Sequence, residues 1–241
     1  MKPTKFYNIL LICLLIITSS AIFLQVFSLN KSLVLSPTSQ LKVRAITDDS
    51  VGGNSTATIK VVDNIWKLSC QVKLSAYKWP FCEISLRFFE ENKSHINQGI
   101  NLTSYSNIYV KANYVNHTGQ SIRFQLRHFN PDYATMDNDS TWKYIGVEYW
   151  PTPDQHTTEI PMGSLQVPSW WLVEQKIPLT LSPPEFTQIM VLEIATGNNL
   201  KPGNYDIEIE FIKFTGKYFT NGQVFFTIIV LWVIAAIFVL Y

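Results

Sequence analysis

The chain has 241 residues, 47% of them hydrophobic and 15% charged, with a formal net charge of +1. Its long apolar runs lie at the two ends, and the middle, about 195 residues and the right size for one all-β domain, carries seventeen basic residues against eighteen acidic ones. A near-neutral middle argues against a nucleic-acid partner, which would need a basic face.

Residues 6–27 hold no formal charge and follow Lys2 and Lys5. Twenty-two residues at 1.5 Å each cross a hydrocarbon core of about 30 Å. Ser19, Ser20 and Ala21 would suit a signal-peptide cleavage point, but the apolar run continues to Phe27, longer than a signal core, which favours an uncleaved anchor. The two lysines place residues 1–5 in the cytoplasm and everything after Phe27 outside it. Residues 28–40 are polar and read as a tether.

Residues 41–216 read as the exported domain. Residues 41–46 alternate and start a sheet, and Asp48, Asp49, Gly52 and Gly53 follow in a turn-rich run. This run is an ordinary turn by composition, with a structural calcium as the second reading. Residues 65–74 and 81–89 are the next strands. Cys70 and Cys82 both fall on their apolar sides, so an oxidising compartment makes a Cys70–Cys82 cross-strand disulfide the expectation. Cys13, inside the first span, reads as a small apolar residue.

Residues 107–115 alternate Ile108, Val110, Ala112 and Tyr114 with Tyr109, Lys111 and Asn113. Residues 121–151 are the stretch where a ligand is expected. Ile122, Phe124 and Leu126 oppose Arg123, Gln125 and Arg127; after a polar loop, Ile145, Val147 and Tyr149 oppose Tyr144, Glu148 and Trp150. The expected binding surface is therefore Arg123, Gln125, Arg127, Tyr144, Glu148 and Trp150, extended by Tyr109 and Lys111; a solvated outer sheet face is the plain alternative. Arg127→Ala is expected to remove ligand response while sparing the fold.

A short edge strand follows at 157–162. Trp170 and Trp171, in a proline-bounded loop, form either a stacking platform or a plug over the core, with the plug favoured. Residues 185–195 and 205–214 complete the sheet, the latter with Ile207, Ile209 and Phe211 inward. A linker, 217–223, leads to a second charge-free run, 224–241, also long enough to cross a bilayer. With no basic flank after it, the chain reads as the front half of a longer protein. Short strands, turn signals and the absence of a long amphipathic helix give the fold class: an all-β jelly-roll β-sandwich flanked by two transmembrane helices.

Some chemistry is excluded. There is no phosphate-binding glycine loop, HExxH or CxxC, and His95, His117, His128 and His156 are scattered, so no metal site is expected. Glu148 and Glu159 lack the fixed separation that would make them a glycosidase pair. Residues 137–140 are a turn before they are a calcium site. Asn54, Asn92, Asn101, Asn116 and Asn138 head glycosylation sequons that matter only in a eukaryotic secretory pathway.

The Asp48-Asp49 and Gly52-Gly53-Asn54-Ser55 run, the paired alternating strands, and Leu126-Arg127-His128-Phe129-Asn130-Pro131-Asp132-Tyr133 resemble the galactose-binding-like jelly rolls of carbohydrate-binding modules. Residues 123–148, with Val167-Pro168-Ser169-Trp170-Trp171, resemble the exported sensory domain of bacterial membrane-bound signalling proteins such as diguanylate cyclases and histidine kinases. The likeness covers about residues 40–215 and argues against eukaryotic use of the sequons. It implies a periplasmic sensor of a small polar ligand or saccharide in the inner membrane; a non-catalytic, membrane-anchored protein-interaction or structural module is the alternative. The two spans put both termini in the cytoplasm, and transmission across them implies a homodimer. No GGDEF or kinase motif is present, so no enzymatic activity carries over.

Overall fold

A computed structural model describes residues 3–27, 29–90, 98–116, 119–151, 157–198 and 200–240. His95, His117, His156 and the Asn92 sequon lie outside these. The terminal segments (1–32 and 215–241) and residues 33–214 form two compact units.

In the terminal unit, α1 (Pro3–Phe27) and α3 (Asn221–Leu240) are apolar all round. Their cores, Tyr7–Phe27 and Asn221–Val239, have mean hydropathy of 2.6 and 2.5, and each is long enough to cross a membrane. Several polar groups pair with each other, though Gln25 Oε1 is buried with no partner among the described residues. Trp232 Nε1 donates to Thr18 Oγ1 at 3.0 Å, Gln25 Nε2 to the Phe219 carbonyl at 2.7 Å, and Lys217 Nζ to the Gln25 carbonyl at 2.6 Å. An unpaired polar group among apolar helices would be costly.

The larger unit is a two-sheet sandwich. One sheet runs β3 (Thr56–Val62), β4 (Ile65–Val72), β11 (Gly203–Lys217), β6 (Tyr105–Tyr114) and β9 (Thr158–Pro161), with β1 (Asn30–Leu35) also pairing β11. The second runs β2 (Lys42–Thr47), β5 (Cys82–Arg87), β10 (Ile189–Thr196), β7 (Ile122–His128) and β8 (Lys143–Tyr149). The second sheet's pairings are all antiparallel. Strand alternation supplies the core: Trp66, Leu68 and Val72 from β4, and Ile207 and Ile209 from β11. Across from them lie Ile84 and Leu86 of β5, Ile122, Phe124 and Leu126 of β7, and Leu192 and Ile194 of β10. Each fully buried side chain of this kind contributes about 1.5–3 kcal/mol.

Cys70 and Cys82 are bonded, with Cα atoms 5.9 Å apart. The bridge does not link neighbours in one sheet, as a cross-strand bond would. It joins β4 to β5 and so sews the two sheets together. Closing this short loop contributes about 3 kcal/mol through the unfolded chain.

Four expectations shift. The supposed tether contains β1, and β3 fills a stretch whose alternation is weak because most of its residues are exposed. On β11 the inward phase changes after Ile209: Glu210 and Phe211 are both half-buried, and Ile212 and Phe214 take over the core. The tryptophan loop is a short helix, α2 (Ser169–Glu174), entered from Pro168, whose φ of −65° is already helical.

The aspartate-rich run is a turn. Asp48 is buried and accepts from Ser55 N at 2.9 Å and Ser55 Oγ at 2.8 Å, while Gly52 supplies φ 88°. Each Asp48 oxygen accepts from the one serine, the arrangement of a side-chain-braced turn. Asn138 similarly accepts from Ser140 N and Oγ, closing the turn at 137–140.

Candidate functional site

Register lays out the outer face of the second sheet in three rows crossing β2, β5, β10, β7 and β8 in that order. The first is Lys42, Arg87, Val191, Arg127 and Tyr144; the second Arg44, Ser85, Glu193, Gln125 and Gly146; the third Ile46, Glu83, Ala195, Arg123 and Glu148. Arg123, Gln125, Arg127, Tyr144 and Glu148 are thus brought together as the alternation of β7 and β8 requires. Trp150 follows directly after β8 and is 65% exposed.

Tyr109 and Lys111 do not join them. Both sit on β6 in the other sheet, where Tyr109 donates to Glu159 at 3.1 Å and Lys111 pairs with Glu210 at 2.7 Å. Alternation gives a residue's face but not which sheet its strand enters. For the same reason Glu148 and Glu159 belong to different sheets.

The floor of the face is a buried charge cluster. Arg127 and Glu193 are 6% and 5% exposed and paired at 3.4 Å, and Arg127 also donates to the Asp139 carbonyl. The Arg127 guanidinium lies over the Tyr144 ring at 3.6 Å. Burial opposes its charge, but Glu193 beside it holds its pKa up. Arg127 Nε and Glu193 Oε2 have no hydrogen-bond partner among the described residues. Glu83, 8% exposed, has its pKa pushed up to about 8, first by burial and then by the Glu193 carboxylate; burial raises Glu193 as well. Two buried carboxyls this close favour keeping a proton on one of them. Arg127 is therefore part of the fold's own electrostatics, which corrects the expectation that it could be removed without loss of stability.

Glu148 is also engaged: it accepts from Ser121 Oγ and, at 2.9 Å, from Asn198 N. Arg123 donates through Nε to the Thr196 carbonyl at 2.9 Å and lies over Phe81. Gln125 is half-buried, and its amide makes no hydrogen bond among the described residues. The next position across the sheet is Gly146, where an added Cβ would come within 2.9 Å of Gln125 Cγ. The glutamine stem and the Phe124 carbonyl pack over the glycine.

The two tryptophans divide the roles proposed for them. Trp171 is 1% exposed, donates through Nε1 to the Ser140 carbonyl at 3.1 Å and packs against Tyr133, so it is the plug. Trp170 is 55% exposed with its ring 5.5 Å from Tyr144. An exposed ring at the edge of a sheet face is the kind of surface on which a flat apolar group can stack.

A polar network missed by sequence reading braces this end. Lys143 is fully buried, donating to the Leu181 carbonyl at 2.6 Å, the Pro183 carbonyl at 3.1 Å and the Glu185 carboxylate. Burial lowers its pKa, and hydrogen bonds from Lys143 and Tyr133 outweigh burial to lower that of Glu185. His128 shares protons with Tyr133 Oη and Thr187 Oγ1, each at 2.9 Å, and burial drops its pKa to about 4. It is a neutral strut, not a metal ligand, and no cluster of three metal-binding side chains occurs among the described residues. The network fixes the 130–142 loop, which in turn delivers the Asp139 carbonyl to Arg127.

Two signals could have located the hidden acids. Glu193 is a lone carboxylate inside an otherwise apolar strand, and Glu83, Ser85 and Arg87 alternate against Cys82, Ile84 and Leu86.

A family 11 carbohydrate-binding module from a cellulosomal cellulase of Clostridium thermocellum superposes with a TM-score of 0.52, 13% identity, and coverage of 79% of this chain and 98% of its own. The fold is similar to the jelly roll of a carbohydrate-binding module. A family 30 module of another Clostridium thermocellum cellulosomal cellulase aligns at a TM-score of 0.36 and 10% identity, over 78% of this chain and 92% of its own. No protein-family model matches the chain, and no curated protein does.

Proposed function

We propose that the chain is a non-catalytic saccharide-binding module, held outside the cytoplasmic membrane by its terminal helices and acting as the sensory input of a signalling protein of the diguanylate-cyclase type. The observation that carries the binding reading is the outer face of the second sheet. There exposed Trp170 stands against half-buried Tyr144, near Gln125, whose amide makes no hydrogen bond among the described residues, in a sandwich similar to carbohydrate-binding modules. Aromatic faces suit the C–H surfaces of sugars, and amide and guanidinium groups suit their hydroxyls. Recognition of this kind combines an apolar platform with a few placed polar groups.

The placement in the membrane is supported by α1 and α3, and the disulfide fits an oxidising periplasm. In this reading residues 28–223 are exported, both termini are cytoplasmic, and ligand shifts the packing of the helix pair, as a homodimer, toward a signalling arrangement.

Glycan-array binding of the full chain in nanodiscs tests the function. Binding to a defined saccharide class that Trp170→Ala weakens at least tenfold, with an unchanged melting temperature, supports it. Equal binding by the variant, or no glycan bound, counts against it. External protease digestion of the domain in intact spheroplasts tests the topology; full protection means the domain is not exported.

A further inference from the structure

The polar network around Lys143 holds reactive groups that the ligand face does not use. The Lys143 side chain is wholly buried, and each proton of its ammonium group has an acceptor: the Leu181 carbonyl at 2.6 Å, the Pro183 carbonyl at 3.1 Å and Glu185 Oε2. Tyr133 Oη donates to the same Oε2 at 2.9 Å. The other oxygen of that carboxylate, Oε1, accepts from the Asn130 side-chain amide at 3.0 Å. A primary amine and a carboxamide thus share one carboxylate, one on each oxygen. The Asn130 carbonyl oxygen in turn accepts from Asp132 N at 3.0 Å.

An amine, a carboxamide and a carboxyl group that moves protons between them are the parts needed to exchange one amide for another. Lysine attacks only as the neutral amine, a form that loss of water favours; burial lowers the pKa of Lys143, and the Tyr133 ring stands 4.7 Å from Nζ. The two backbone carbonyls hold two of the three N–H bonds and so fix the direction of the third. Once that proton passes to Glu185, the lone pair left on Nζ points at the carboxyl whose far oxygen carries Asn130.

We propose that Lys143 and Asn130 condense into an isopeptide bond within the chain, with Glu185 carrying the protons and ammonia as the leaving group. Nζ attacks Asn130 Cγ, and the charge that gathers on Oδ1 is met by the Asp132 N–H. Nζ gives up two protons through Glu185. One turns the Nδ2 group into ammonia as the Cγ–Nδ2 bond breaks; the second leaves with it as ammonium, so Glu185 ends as it began. With 27% of its side chain exposed, Glu185 marks the way out for the ammonia.

The bond closes the 130–142 loop at its base. His128 and Lys143 already stand opposite each other in the β7–β8 register, and Asn130 lies two residues past His128. It makes permanent the loop position that brings the Asp139 carbonyl to Arg127. The inference does not depend on what the ligand face binds.

The test is intact-mass spectrometry of the full chain, purified from membranes, then reduced and denatured. The expected mass lies about 17 Da below that of the sequence, the loss of one ammonia, and a protease digest is expected to yield a branched peptide joining Lys143 to Asn130. Lys143→Met and Glu185→Gln are each expected to return the chain to full mass. A wild-type chain at full mass overturns the proposal. So does an ammonia loss that maps to other residues or persists in Lys143→Met. A cross-link that forms as completely in Glu185→Gln as in wild type overturns the proton transfer through Glu185 on which the proposal stands. The mass and peptide map of the wild-type chain decide by themselves, so a variant that fails to fold does not blunt the test.

Discussion

The outer faces of the two sheets are built from similar residues and hold them in different ways. On the first sheet, Lys67 pairs with Glu208 and Lys111 with Glu210, both at 2.7 Å with side chains a quarter to two-fifths exposed, and each acid sits beside a base in open solvent. On the second, Arg127 and Glu193 make a similar cross-strand pair with both side chains 7% exposed. Water screens the first pairs, which makes them nearly neutral for stability. The second has lost its water, so each partner depends on the other. Burial, rather than residue type, separates the two faces.

The sharpest way to break that contrast is Arg127→Ala. It strands Glu193 without its cation and is expected to destabilise the domain by about 3–5 kcal/mol, read from urea melts; a loss under about 1 kcal/mol would make the two faces equivalent.

Glu83 gives a pH test of the same burial. Its folded pKa, about 8, lies above the ordinary carboxyl value of 4.5, so the folded state binds more protons than the unfolded one between those limits. Its contribution is fully present below pH 4.5 and declines by at most about 1.4 kcal/mol per unit as pH rises toward 8. Glu83→Gln should leave thermal stability near wild type at pH 5 and raise it at pH 8.5; a difference from wild type that does not change with pH would remove the buried acid from the account.

Reducing the Cys70–Cys82 bridge, or replacing both cysteines by serine, should cost about 3 kcal/mol in denaturant melts. It should act on the sandwich as a whole, because the bond joins the sheets. Lys111→Ala, on the solvated face, should cost less than about 1 kcal/mol and leave saccharide binding unchanged; a change in affinity would return the first sheet to the binding surface.

Particular residues show where sequence reading stopped. Arg123, Gln125, Arg127, Tyr144 and Glu148 were legible as one surface because β7 and β8 are consecutive in the chain and pair directly. Tyr109 and Lys111 looked equivalent by alternation, yet β6 pairs β9 in the other sheet. Glu83 and Glu193 were overlooked because they lie in strands read for their apolar faces, and only the β5–β10 register sets them on the same floor as Arg127. Trp170 and Trp171, adjacent in sequence, point one to solvent and one to the core; the step of about 100° between neighbours on a helix is enough to divide them.

By itself the sequence determined which side of most strands faces inward, that the two ends are apolar helices, and that Cys70 and Cys82 would meet, because these follow from local periodicity and side-chain chemistry. Tertiary structure alone decided which strands became neighbours, and with that which charges lost their water and which kept it. Those pairings join residues far apart in the chain, 141 positions in the case of Lys67 and Glu208, and a two-residue repeat carries no information about the partner across the sheet.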